Sequence, residues 1–480
     1  MVANSTANET ETEPMAIFYK IKEPHALRGW DGAPYALCTH GTGRTVFLNK
    51  HAYDVLSLCY GLVDFSSFLI PESFRETAEQ LVKEGVIEQC RQPGQTVKPY
   101  QKYRLYPNKY IRAAHWSVTG RCNYKCRHCY MSAPEAKFGE LSRETCLDII
   151  DQLAGCGVMN ISITGGEALV RQDFFELLDR MLAYGMHITT IYSNGKLVTA
   201  GLLDALERRR TYPEFNISFD GVGWHDWLRG VDGAEQVALD AFRLCRERGF
   251  STGAELCLHH RNKHTLRESV NVLAGFGVGH LKTNPASLSG AWIENAGGDN
   301  LSVGELFDIY LDYIPHYFAD GAPLDIQLGG FFMARKGAKT YTLPAAKSDG
   351  REATGQYCIC GHARNVMYIS ADGRVLPCMS LSGVDAQYAF PLISELGLSA
   401  CLGDSHYMRL IETTVDEFLA RNTGCADCEN KYICAGGCRA SALEGGNGLL
   451  GPDGAACLFF KGGYAERVKA AAQGYECGNY

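Results

Sequence analysis

Three cysteines crowd one short stretch of this chain, Cys122, Cys126 and Cys129, with three and then two residues between them. Thiolates hold iron–sulfur clusters, normally four to a cubane. Three in one loop therefore leave one iron without a protein ligand, open to a small molecule. Structural zinc sites usually pair two-residue spacings and close all four positions, which this loop does not do. A second set fills the last third: Cys358-Ile359-Cys360, Cys378 with Gly373 five residues before it, then Cys425, Cys428, Cys434 and Cys438, and finally Cys457. Eight thiolates suffice for two four-ligand clusters. The other nine of the 20 cysteines are scattered and read mostly as small buried hydrophobes. Twenty cysteines with no export signal point to metal rather than disulfides.

The elements that must position these groups show in the hydrophobic periodicity. From about Ile111, short apolar runs alternate with helical patterns. Strands are expected at 114–119, 160–164, 188–192, 215–219, 254–258 and 280–283, with helices at 142–156, 172–184, 198–209, 234–248 and 264–276. Such alternation predicts a parallel sheet with right-handed crossovers, six units in all. In a barrel of this kind the active site sits at the carboxyl ends of the strands. Those ends carry Thr164-Gly165-Gly166-Glu167, Ser193-Asn194-Gly195 and Ser218-Phe219-Asp220-Gly221. Paired glycines allow close backbone approach, and a carboxylate suits an ammonium partner.

The Cys122-x3-Cys126-x2-Cys129 loop resembles the signature of the radical S-adenosylmethionine (SAM) superfamily. The resemblance implies an α/β fold, a partial (β/α)6 TIM barrel over residues 111–300, with SAM chelated at the open iron of a [4Fe–4S] cluster. One electron then cleaves SAM to methionine and a 5′-deoxyadenosyl radical, which takes hydrogen from the substrate. It also implies that Gly165, Gly166 and Glu167 hold the SAM amino group, although Ala168 stands where the family usually has proline. Ser193 and Ser218 would contact the ribose and carboxylate, and Arg229 the methionyl carboxylate. The C-terminal cysteines over 351–480 resemble the SPASM domain. By that resemblance Cys425, Cys428, Cys434 and Cys457 hold a distal auxiliary [4Fe–4S] cluster. Cys378 and Cys438 hold a proximal one with Cys360, and Cys358 is a further candidate, although two cysteines so close are tight for one cubane. The total would be three [4Fe–4S] clusters.

Residues 15–91 read as strands at 16–21, 35–38 and 45–48, helices at 51–60 and 72–84, and a short apolar end at 86–87. This winged-helix-like unit resembles the PqqD-like leader-recognition domain of peptide-modifying radical SAM enzymes. A precursor peptide would bind it by adding a strand to the sheet edge. Residues 1–14, polar and acidic, read as a disordered tail, 92–110 as a linker, and 301–350 as a bridge without chemical signal.

Composition sets the remaining bounds. Among 480 residues, 46% hydrophobic and 21% charged content describe an ordinary globular chain. A formal net charge of −8 disfavours nucleic acid as a partner. No apolar run is long enough for a membrane span; exposed iron–sulfur centres suit a reducing compartment, so a cytoplasmic enzyme is expected. The family resemblance implies a peptide maturase with a precursor-peptide partner and a flavodoxin- or ferredoxin-type electron donor. Thioether formation from a cysteine sulfur to carbon is the expected chemistry, with carbon–carbon cross-linking as an alternative. A sulfatase-maturing, formylglycine-generating enzyme is a further alternative. Members of that group carry an aspartate after the cysteine aligned with Cys378, where this chain has Met379. A non-catalytic electron carrier would leave the SAM residues without purpose.

Overall fold

The computed structural model describes residues 16–133, 139–382 and 388–478, so the tail expected at 1–14 lies outside the described residues. The chain divides into two compact units between Tyr110 and Ile111.

The first unit holds two small sheets. One has the order β5-β1-β6, built from β1 (Phe18–Ile21), β5 (Tyr60–Asp64) and β6 (Ile87–Gln89). The other runs β4-β3-β2-β7, from β2 (His25–Asp31), β3 (Ala33–Thr39), β4 (Arg44–Phe47) and β7 (Arg104–Lys109). Helix α1 (Lys50–Leu58) starts where the Asn49 side chain accepts a hydrogen bond from Ala52 N at 2.8 Å. It packs Val55 and Leu56, with Ala78 of α2 (Glu72–Lys83), into a core shared with Leu27, Leu37 and Ile87. Two expectations need correction. The segment read as a linker contains β7, which pairs in parallel with β2. The helix expected to reach Tyr60 stops at Leu58, and Tyr60 begins β5. Strand pairing through main-chain groups is indifferent to the lysine- and proline-rich composition that hid β7.

In the second unit the expected alternation is present. Strands β8 (Ala113–Ser117), β9 (Asn160–Thr164), β10 (His187–Ser193), β11 (Glu214–Ser218), β12 (Thr252–Leu258) and β13 (His280–Pro285) lie side by side in sequence order, all parallel. Between them run α3 (Arg143–Gly155), α4 (Phe174–Ala183), α5 (Ala200–Arg208), the short α6 (His225–Arg229), α7 (Ala234–Glu247) and α8 (Leu266–Gly275). Ser142 caps α3 by accepting from Thr145 N at 3.1 Å.

The sheet continues beyond six strands on both sides. On one side β14 (Asp325–Leu328) pairs in parallel with β13, and β15 (Phe332–Ala334), β16 (Thr340–Thr342) and β19 (Glu476–Cys477) follow. On the other, β17 (Val366–Ile369) pairs in parallel with β8 and carries β18 (Val375–Leu376). The open twelve-stranded sheet therefore takes strands from all three segments that the sequence separates at 300 and 350. The supposed bridge is structural: α9 (Trp292–Asn295) is followed by α10 (Val303–Ala319), whose Tyr310, Ile314 and Tyr317 are buried in the common core. Apolar burial is non-directional, so one core can unite segments that periodicity reads as distinct.

Candidate functional site

The loop carrying Cys122, Cys126 and Cys129 leaves the carboxyl end of β8 and is tied to the next strand end by main-chain bonds. Val118 N donates to Thr164 O at 2.9 Å, Gly166 N to Thr119 O at 2.8 Å, and Glu167 N to Arg121 O at 2.8 Å. These bonds explain the paired glycines. A Cβ on Gly165 would stand 2.7 Å from Thr119 O, and one on Gly166 only 2.3 Å from Arg121 O. Gly165 and Gly166, expected to approach a ligand, let the backbone approach the cysteine loop.

Glu167 and Ser193, predicted separately, meet. The Ser193 hydroxyl donates to the Glu167 carboxylate at 3.1 Å, and Asn194 N donates to Oε2 at 2.8 Å. Burial pushes the Glu167 carboxyl up to about 7, against the lowering effect of those donors. No cationic side chain pairs with it among the described residues, so this buried carboxylate suits an incoming ammonium group. Asn194, named in the sequence only as part of the Ser193-Asn194-Gly195 turn and not as a candidate ligand, joins the two halves. Its Nδ2 donates to Asn123 Oδ1 at 2.7 Å and lies 3.9 Å from Cys122 Sγ. Ser218 is half-buried at the end of β11.

Arg229 is already engaged. Its Nε donates to Asp220 Oδ2 at 2.6 Å, and Nη1 lies 3.8 Å from Cys126 Sγ. Burial alone would raise the Asp220 carboxyl, but the Arg229 guanidinium, His225 and His128 outweigh it and hold it well below the carboxylate range. Cys257, read as a scattered hydrophobe, adjoins this group, its N donating to Asp220 Oδ1 at 3.0 Å.

Ligand spacing separates the metal readings. Among the described residues only His128, Asp220 and Cys257 bring three candidate ligand atoms within 4.8 Å of one another. Both Asp220 oxygens there are occupied by N–H donors and a guanidinium adjoins them, so the trio does not suit a cation. The cysteine sets are wider. Four sulfurs on one zinc would lie about 3.8 Å apart, given a Zn–S length of ~2.3 Å. Neither the 122–129 loop nor the C-terminal set gathers so tightly, which fits a multi-iron centre.

In the C-terminal region Cys425, Cys428, Cys434 and Cys457 line one cavity of about 260 Å³, with Asp453 and Gly436 in its wall. Asp453 caps the helix Gly454–Lys461 that presents Cys457. Cys360, Cys378 and Cys438 form a second group. Burial pushes the Cys378 thiol up to about 12, and Cys438 and Cys360 add to that rise. Cys358 faces Arg364 and Glu412 as well as Cys360. Buried thiols must lose protons to bind iron, so loading is coupled to proton release.

Residues 116–273 match the model of the radical SAM superfamily. Pre-heme d1 synthase of Dinoroseobacter shibae is 30% identical over 186 residues, 38% of this chain and 46% of that protein, so the match spans less than half of its length. Mycofactocin maturase MftC of Mycobacterium tuberculosis is 28% identical over 350 residues, 70% of this chain and 81% of that one. Among solved structures, Streptococcus suis SuiB bound to its precursor peptide SuiA superposes with a TM-score of 0.62 at 15% identity, covering 92% of this chain and 100% of that one. That likeness establishes the fold. Among the described residues no helix is long and apolar enough to cross a membrane. The domain match and the Cys122–Glu167–Ser193 site agree: residues 116–273 form a radical SAM domain, and the family of that domain works with a [4Fe–4S] cluster and SAM.

Proposed function

We propose that the chain is a peptide maturase that modifies a ribosomally made precursor, joining a cysteine sulfur to carbon as a thioether. The observation that carries the reading is the meeting of Glu167, Ser193 and Asn194 beside Cys122 at the carboxyl ends of the parallel strands. Cys122, Cys126 and Cys129 would hold the cluster, which with SAM would supply a 5′-deoxyadenosyl radical able to take hydrogen from peptide carbon. Glu167 would receive the SAM ammonium group, Ser193 and Ser218 would orient the ligand, and Arg229, held by Asp220, would meet the ligand carboxylate.

The peptide part of the reading draws support from two features. The protein named mycofactocin maturase aligns over 70% of this chain. In the first unit β4 is an edge strand whose Val46 and Phe47 are 41% and 52% exposed, as a site for an added peptide strand requires. Residues 15–91 would then capture the leader. The C-terminal cysteines would hold two auxiliary clusters, the distal on Cys425, Cys428, Cys434 and Cys457, the proximal on Cys360, Cys378 and Cys438 with Cys358 as a further candidate; as the S–C bond closes, the thiol would lose its proton and the surplus electron would pass to one of these clusters. A flavodoxin- or ferredoxin-type protein would deliver the electron.

The test is anaerobic incubation of the cluster-loaded protein with SAM, reductant and short cysteine-rich peptides encoded beside it, read by mass spectrometry and 5′-deoxyadenosine release. A loss of 2 Da per cross-link is expected. Release of 5′-deoxyadenosine with every candidate peptide unchanged in mass would remove the peptide reading and leave the superfamily assignment intact.

A further inference from the structure

Arg439 follows Cys438 directly and is buried, with 6% of its surface exposed. Its Nη1 donates to Leu449 O at 3.2 Å and to Gly451 O at 2.7 Å, and Nη2 donates to Gly436 O. The guanidinium carbon lies 4.9 Å from the centre of the Phe418 ring. Nε is buried and meets no partner. Carbonyls and a ring satisfy donors without neutralising charge, and no carboxylate pairs with Arg439 among the described residues. Asp453, its acidic neighbour, spends its oxygens elsewhere: Oδ2 accepts from Cys438 N at 2.8 Å, and Oδ1 from Ser441 Oγ at 2.6 Å and Ala455 N at 2.9 Å.

Asp453 is the acidic neighbour of this cation but makes no ion-pair contact with it; a buried cation so placed is incompletely compensated, and the position favours further negative charge nearby. The thiols around it belong to both C-terminal groups: Cys438 and Cys360 of the proximal set, and Cys434 of the distal set. Gly436, which accepts from Nη2, also lines the distal cavity. Arg439 thus stands in the wall between the two groups, its side chain held in place by three carbonyls.

We infer that Arg439 is a positioning residue for both C-terminal clusters, the shared counter-charge that neutralises them and raises the reduction potential of each. The inference rests on reading these cysteines as auxiliary-cluster ligands. A fixed cation beside an iron–sulfur centre favours its reduced, more negative state, and net charge is among the factors that set such potentials. One cation serving two centres also couples them, because reduction of either uses part of the same neutralising charge.

The experiment compares the full-length, anaerobically reconstituted protein with Arg439→Gln and Arg439→Lys, by iron and sulfide content and by potentiometric titration followed with electron paramagnetic resonance. The centre on Cys122, Cys126 and Cys129 serves as internal reference. Arg439→Gln is expected to shift the midpoint potentials of both auxiliary centres downward while the reference stays in place, and Arg439→Lys to restore most of the shift. Full iron in Arg439→Gln with both potentials unchanged overturns the inference and leaves the auxiliary clusters standing. If Arg439→Gln fails to hold auxiliary iron, Arg439→Lys decides: retention there supports the requirement for charge, and loss there overturns it. Iron for one cluster only in the parent protein overturns the auxiliary-cluster reading and, with it, this inference.

Discussion

Two buried arginines each stand beside a cysteine of a proposed cluster site, and they are treated in opposite ways. Arg229, near Cys126, is paired with Asp220 at 2.6 Å. Arg439, next to Cys438, has three carbonyls and an aromatic ring but no carboxylate partner among the described residues. The arginine of the barrel site is thus balanced before a ligand arrives, which leaves the buried Glu167 free for the SAM ammonium group. The C-terminal site carries a cation that its acidic neighbour Asp453 does not contact, as suits one that holds an anionic centre permanently. Asp220 is the residue that makes the difference: it trades the cost of an unpaired guanidinium for a fixed ion pair.

The most drastic way to separate the two regions is to remove their ligands in turn. Replacing Cys122, Cys126 and Cys129 together by alanine should reduce 5′-deoxyadenosine formation to background. Replacing Cys425 and Cys428 should leave uncoupled SAM cleavage measurable while modified peptide disappears. Equal loss of both products from both variants would erase the distinction between a radical-generating site and an auxiliary one.

Next in size is the ion pair. Asp220→Asn strands the Arg229 charge in a buried site, and should cost about 3–5 kcal/mol in denaturant unfolding. Adding Arg229→Met should recover most of that loss, since removing both charges is far cheaper than removing one. A cost under about 1 kcal/mol for Asp220→Asn would mean that Arg229 is no better compensated than Arg439.

The Glu167 carboxyl sharpens the comparison through pH. Burial raises its pKa to about 7 from the ordinary carboxylate value of 4.5. For an acid shifted upward, the folded state holds its proton more tightly than the unfolded state. Stability from this group is therefore fully present below the unfolded pKa and is lost as pH rises through about 7. The full penalty is about 3 kcal/mol at 1.36 kcal/mol per unit. Without SAM, Glu167→Gln should be more stable than the parent by about that amount at pH 8, the gap narrowing as the pH falls below 7. Calorimetry of both proteins across that range reads it directly. With SAM present the order should reverse, because the variant cannot pair with the ligand's ammonium group.

The smallest effect concerns the support of the cysteine loop. Gly166→Ala places a Cβ against Arg121 O and should cost about 1–3 kcal/mol. Iron retained per chain should fall in that variant while the C-terminal iron stays. If Gly166→Ala instead raised the KM for SAM with iron content unchanged, the glycine would be serving the ligand rather than the loop.

Much of this organisation was legible in the residues. The alternation of apolar runs located all six central strands to within a few positions, because each strand is buried and its side chains must be apolar. The cysteine spacings separated a three-ligand loop from an eight-cysteine field. Less legible was β7, whose strand pairing rests on main-chain groups. The extension of the sheet by β14 and β17 escaped for a different reason: strands of four residues are too short for periodicity to register. Cys257 and Arg439 were invisible as functional candidates, since a lone cysteine or arginine takes its meaning from neighbours distant in sequence.

The linear order of amino acids alone determined which groups could do chemistry here. The thiolates, the Gly165-Gly166-Glu167 turn and the serines at strand ends are local patterns, and a ligand's chemistry depends first on residue type. Only the tertiary structure decided which of those groups share an environment. It joined Glu167 to Ser193, assigned the glycine pair to the backbone of the cysteine loop, and gave Arg229 a carboxylate while denying one to Arg439. Charge compensation in a buried site depends on distance and burial, and both arise only when the chain has packed.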